Sequence, residues 1–169
     1  LTVRRGQRLA LVGPSGSGKT TLLNLMGALD RPDGGTVQCL GVELSTASER
    51  KAADFRRKHL GFVFQQDALV PELTVHENVE LPLVLLREDA AMRRETVDEL
   101  LKALGLSQNA RAYPGALSAG EKQRVAVARA VVHSPGIPVD KWPRIGARGG
   151  GVEKRKLRPP MIKRRGRVL

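Results

Sequence analysis

A chain of 169 residues is long enough to bury a real core, and 41% hydrophobic residues is ordinary for one globular domain. The sequence holds no run of 18 or more apolar residues, which excludes a spanning helix within it, and the single Cys39 excludes an internal disulfide or a cysteine cluster for metal. The formal net charge of +12 is uneven. Residues 136–169 carry 11 Lys and Arg against 2 Asp and Glu, so nine of the twelve net charges lie in the last 34 positions. The basicity therefore belongs to that segment and does not describe a nucleic-acid-binding face on the whole chain. The opening Leu1-Thr-Val-Arg-Arg-Gly has neither an apolar leader nor an initiating Met. No export signal is visible, and a start inside a longer reading frame is expected.

In chain order, residues 8–12 (Arg-Leu-Ala-Leu-Val) predict a short buried strand. Residues 13–18 form a glycine-rich loop. Leu22, Leu23, Leu25, Met26 and Leu29 then recur at helical spacing over 19–29. Residues 30–35 are turn chemistry, and 36–40 read as a strand with Cys39 packed inside and Gly41 ending it. A polar helix over 48–58 precedes a second apolar strand at 60–64. Residues 89–104 form an amphipathic helix with Val97, Leu100, Leu101 and Leu104 on one side and Gly105 as its stop. Residues 118–132 read as another helix. Strands alternating with helices imply an α/β layer architecture. Residues 136–169 have neither period and are expected to be disordered.

Gly13-Pro-Ser-Gly-Ser-Gly-Lys-Thr20 satisfies the pattern G-x-x-x-x-G-K-[ST]. A strand delivers the chain to a tight turn, and glycines let successive backbone N–H groups curl around a phosphate. The following helix adds free N–H groups and its positive dipole end. The candidate phosphate-binding set is Gly13, Pro14, Ser15, Gly16, Ser17, Gly18, Lys19, Thr20 and Thr21. Lys19 would reach the β- and γ-phosphates, and the Thr20 hydroxyl would sit on Mg²⁺.

A second constellation is Leu117 followed by Ser118, Ala119, Gly120, Glu121 and Lys-Gln-Arg124. On local chemistry alone it is a capping box, with Ser118 as N-cap and Glu121 its partner three residues on. Gln65 closes Leu60-Gly-Phe-Val-Phe64 and by itself is an ordinary strand terminus. Taken with the phosphate loop, these segments resemble the ABC ATPase family. Ser118 to Glu121 resemble its signature, with Ala119 in place of a glycine, and Gln65 resembles its Q-loop glutamine. The wording Glu77-Asn-Val-Glu-Leu-Pro82 is closest to the lipoprotein-releasing and macrolide-exporting subfamily. The resemblance covers residues 1–135.

That resemblance implies a P-loop NTPase core from 1–66 and 115–135 and a helical subdomain over 67–114. It implies ATP with Mg²⁺ held by Thr20 and Gln65, and a second ATP-binding domain, in a homodimer or pseudo-dimer, whose nucleotide meets Ser118, Ala119, Gly120 and Glu121. It also implies a transmembrane permease partner and a place on the cytoplasmic face of the inner or plasma membrane. The family continues after its signature helix into an apolar strand ending in Asp-Glu, and later a histidine. Here residues 136–143 read Gly-Ile-Pro-Val-Asp-Lys-Trp-Pro, and His133 is the last histidine. Pro138 argues against a central strand, so the magnesium role is not carried onto Asp140. The expectation is a domain cut or shifted in frame near Pro135, with negligible hydrolysis.

Three other readings fit parts of the sequence. A kinase or GTPase lacks a signature segment before a Gln-Arg helix. A non-transport ABC ATPase fits the motifs, although the Q-loop wording favours transport. Nucleic-acid binding through residues 153–158 and 163–167 lacks aromatic stacking partners beyond Trp142, and no specific nucleic acid is expected. His59, His76, Asp67, Glu72 and Glu77 show no metal or paired acid–base spacing.

Overall fold

The computed structural model describes residues 1–4, 6–64 and 68–133, with the backbone of 137–140. The chain divides into two units, Leu1–Ala52 and Ala53–Leu169.

In the first unit, residues 8–12 are not a strand. Leu9 is 42% and Val12 70% exposed, which corrects the expected buried strand. A strand is stable only when paired, and no described segment pairs with this one. Helix α1 spans Lys19–Met26. It stops short of Leu29 because the backbone turns left-handed at Ala28 (φ 52°). The Leu29 N–H then donates to the Asn24 carbonyl at 2.8 Å and the Ala28 N–H to Leu25 at 3.1 Å, closing the last turn. Strand β1 (Gln38–Cys39) pairs antiparallel with β2 (Val42–Glu43). Leu40 and Gly41 form the hairpin turn with φ of 49° and 77°. Cys39 is half-buried rather than fully packed.

The polar helix α2, Glu49–His59, crosses the boundary between units and runs directly into β3, Leu60–Val63. Three helices then build the core of the second unit: α3 (Val75–Leu85), α4 (Ala90–Ala103) and α5 (Ala119–Val131). Val75, Val79, Val97, Leu100, Leu101, Leu106 and Val125 are at most 2% exposed within one cluster. The predicted stripe Val97, Leu100 and Leu101 faces it, with Leu104 packed at its margin. Asp89 caps α4, and Gly105 (φ 67°) ends it. The other face of α5, through Ala126 and Ala130, packs on Val63 of β3.

Helix α3 is not singled out by the residue pattern, although it lies within 67–114, where the family resemblance implies helices. Thr74 and Glu77 form a full capping box at its start. At its end Arg87 stands left-handed (φ 59°), with the Glu88 N–H donating to Leu83 at 3.1 Å. Buried Val75, Val79 and Leu83 hold the helix despite Pro82 inside it.

Strand β4, Ile137–Asp140, pairs parallel with β3. Asp140 therefore has a strand before it, whereas the expectation that Pro138 would not sit in a central strand is not contradicted. The register sets Pro138 opposite Gly61 and Asp140 opposite Val63. In this two-stranded sheet β4 has no second neighbour among the described residues, and an edge strand tolerates proline's missing N–H.

Candidate functional site

Chemistry concentrates at the start of α1. Gly16 and Gly18 both take φ of 79°, a conformation other residues rarely hold. A Cβ at Gly13 would meet Ser17 Oγ at 2.7 Å, so a larger residue there would displace the Ser17 hydroxyl from the loop. Ser17 locks the turn: its N–H and Oγ both donate to the Pro14 carbonyl, at 3.4 and 2.9 Å. The half-buried Lys19 bends back into this ring. Its Nζ donates to the Gly13 carbonyl and to Ser17 Oγ at 3.0 Å each, and to the Pro14 carbonyl.

The loop therefore satisfies its own cation with three oxygens. A phosphate would offer those N–H bonds stronger, charged acceptors. The donor set fits such a group: an ammonium, a glycine turn and the open N-terminus of an eight-residue helix. Gly18 caps that helix without a side-chain hydrogen bond, so no side-chain oxygen competes for its first N–H groups. Ser15, Thr20 and Thr21 are exposed at this end. Gln65, the other candidate for magnesium, lies outside the described residues.

The second constellation sits in the Ala53–Leu169 unit. Ser118 is the N-cap of α5, and its Oγ accepts from the Glu121 N–H at 3.3 Å. Glu121 Oε2 accepts from the Ser118 N–H at 2.8 Å and from its hydroxyl at 2.6 Å. Both readings of this segment thus rest on the same atoms: the capping box is formed, and Ser118, Ala119 and Gly120 remain exposed at the helix start. Asn109 Nδ2 adds a 3.2 Å bond to Glu121 Oε1. The Ser118 hydroxyl and N–H together hold the Glu121 carboxyl below its ordinary range.

Sequence reasoning missed three residues that organise this unit. Asn109 carries no pattern that would have singled it out. Asn78 is 0% exposed and hydrogen-bonds the backbone of Val70, Leu73 and Thr74. Arg129 donates to the Ala68 carbonyl at 2.7 Å across 61 residues. The Thr74-x-x-Glu77 spacing was the available signal for the helix that carries Asn78.

Comparison with known proteins agrees with the motifs. The sequence family described as ABC transporter matches residues 1–139. The lipoprotein-releasing system ATP-binding protein LolD of Bacteroides thetaiotaomicron is 45% identical over 137 residues, covering 81% of this chain and 63% of that one. Its namesake in Pseudomonas fluorescens is 46% identical over 137 residues, 81% of this chain and 60% of its own length. The solved dimeric, post-hydrolysis structure of the ATP-binding cassette MJ0796, bound to ADP and Pi, superposes with a TM-score of 0.78 at 40% identity. That match covers 83% of this chain and 62% of the cassette. The chain spans about three fifths of the length of these relatives. With a P-loop NTPase fold, a family match over residues 1–139 and relatives about 45% identical over 81% of its length, the chain belongs to the ABC transporter family.

Proposed function

We propose that this chain is the ATP-binding subunit of an export-type ABC transporter, of the lipoprotein-releasing kind. The observation that carries the reading is the Lys19-centred loop, a ring of oxygens around an ammonium at a helix N-terminus. In this role Lys19 exchanges its loop partners for the β- and γ-phosphates of ATP, and the N–H groups of 16–21 orient the triphosphate. Thr20, with Gln65, would hold Mg²⁺, which supplies charge neutralisation at the phosphates. Ser118, Ala119, Gly120 and Glu121 would face the nucleotide of a second ATP-binding domain. A membrane permease would be the other partner and would place the subunit at the cytoplasmic face of the membrane. The dimeric state of MJ0796 and the names of the LolD relatives support these assignments by likeness.

The catalytic segment departs from the family pattern. The family expects Asp-Glu at the end of the strand after the signature helix. Here Asp140 ends β4 but Lys141 follows it, and no Asp-Glu pair occurs in residues 136–169. We therefore propose that the chain binds ATP and hydrolyses it poorly. A shift in frame would account for the Gly-, Pro- and Arg-rich composition of residues 136–169, and translating the gene in its other frames past codon 135 tests this. An apolar strand ending in Asp-Glu is the expected find, and its absence from both frames defeats the idea.

Nucleotide binding is tested by equilibrium titration of the chain with a fluorescent ATP analogue. Binding that Lys19→Ala weakens at least about tenfold is expected from the loss of a charge-assisted contact. Binding indifferent to Lys19→Ala would defeat the assignment.

A further inference from the structure

Two capping boxes of the Ala53–Leu169 unit share one geometry and differ in one contact. At the start of α3 the Glu77 N–H donates to Thr74 Oγ1 at 3.3 Å, and Glu77 Oε2 accepts from the Thr74 N–H and hydroxyl at 2.8 and 2.7 Å. At the start of α5 the same three bonds, between Ser118 and Glu121, measure 3.3, 2.8 and 2.6 Å. Among the described residues, only the second box has a further side chain on its carboxylate: Asn109 Nδ2 donates to Glu121 Oε1 at 3.2 Å. Box formation therefore does not call for Asn109. Asn109 is itself firmly held. It ends the 3₁₀ turn Ser107–Asn109, its N–H donates to the Leu106 carbonyl, and its carbonyl accepts from the Ala112 N–H, both at 2.9 Å. The carbonyls of Ala110 and Ala112 accept the His76 and Val75 N–H groups at the start of α3, and Leu106 is buried in the core. The start of α5 also holds an electrostatic conflict. Ser118 and Gly120 are exposed, and a Cβ on Gly120 would lie 3.9 Å from Arg124 Nη1, so N–H groups and a guanidinium there attract an anion. Glu121 repels one, and its carboxylate engages the single proton that the Ser118 hydroxyl can donate.

We propose that Asn109 is a positioning residue that anchors the Glu121 carboxylate to the connection between α4 and α5, so that the Ser118 hydroxyl can turn to a phosphate without the carboxylate following it. The inference rests on the reading that Ser118 meets the nucleotide of a second ATP-binding domain. Donating the hydroxyl proton to a phosphate oxygen breaks its 2.6 Å bond to Glu121. A glutamate released from that bond has rotamers that carry its charge toward the phosphate, and two anions in close contact repel strongly where water is excluded. The Asn109 amide, set on a backbone tied to α3 and α4, keeps one carboxylate oxygen engaged through that exchange of partners.

The test measures ATP-driven self-association of the full chain by sedimentation velocity, with ATP binding titrated alongside. Asn109→Ala removes the anchor and is expected to weaken that association about tenfold, the loss of one hydrogen bond to a charged group. The affinity of the chain for ATP, and the hydrogen-exchange protection of amides 121–125, are expected to stay as in the unaltered chain. Glu121→Gln removes the charge, and in that background Asn109→Ala is expected to cost nothing further. Unchanged association in Asn109→Ala overturns the proposal, as does a cost that persists beside Glu121→Gln. Lost protection over 121–125 overturns it too, because Asn109 would then hold the helix and not the charge. If Asn109→Ala does not fold, Asn109→Leu, similar in shape and lacking the donor, is read by the same criteria. An unaltered chain that binds ATP without self-associating overturns the second-domain reading and this inference with it, whereas a failure confined to the Asn109 variants leaves that reading in place.

Discussion

Single residues carry the sharpest consequences. Lys19 makes three bonds inside its own loop, so the site is preorganised for a cation before any anion arrives. Its identity was legible because a phosphate needs glycines, a helix start and a cation in one order. The role of Glu121 was half legible: three-residue spacing gave the capping box, but the Asn109 bond needed the fold. Glu121, Glu77 and Asp54 all have carboxyls held below their ordinary values. Ser118 and Thr74 act first on the two glutamates, and Lys58 and then Arg57 act on Asp54. A carboxylate depressed in the folded state contributes stability above its unfolded pKa and loses it as pH falls through the folded value. Thermal midpoints are therefore expected to fall between about pH 5 and pH 3. Glu121→Gln, which keeps the box geometry but cannot titrate, should flatten that decline. A decline equally steep in the variant would show that other groups dominate.

At the scale of elements, start signals proved easier to read than stops. Helices α4 and α5 announce themselves through Asp89 and Ser118 and through apolar residues at helical spacing. Three helices end on the same left-handed device, at Ala28, Arg87 and Gly105, yet only the last is the glycine that sequence reasoning looks for. Apolar spacing alone therefore overruns the end of α1, where the stop is an alanine rather than a glycine. Strands fared worse, because pairing decides them: residues 8–12 have the right apolar pattern and remain unpaired, whereas 137–140 contain a proline and pair. Two substitutions test the α3 account. Thr74→Ala removes an N-cap acceptor and should cost about 1 kcal/mol. Arg87→Gly relieves a left-handed side-chain residue and should gain up to about 1 kcal/mol. Urea denaturation reads both, and a destabilising Arg87→Gly would show that Arg87's own contacts outweigh its backbone conformation.

For the whole molecule, we propose a complete phosphate loop joined to an incomplete hydrolytic site. The two judgements have different physical bases. A phosphate cradle of the proposed kind is local, drawn from eight consecutive residues, so its whole pattern can be read in the sequence. Hydrolysis needs a carboxylate placed on a strand end from far along the chain, and here the residue after Asp140 is a lysine. A general base contributes roughly 10²–10⁴-fold to such a step, so turnover is expected to lie at least about a hundredfold below that of a relative carrying Asp-Glu. Lys141→Glu is the direct test. If β4 already presents Asp140 as the family requires, adding the carboxylate should raise phosphate release by roughly tenfold or more, and Lys19→Ala in the same chain should abolish the gain. Lys19-dependent turnover in the unaltered chain, at the rate of its full-length relatives, would place the base elsewhere and defeat the proposal.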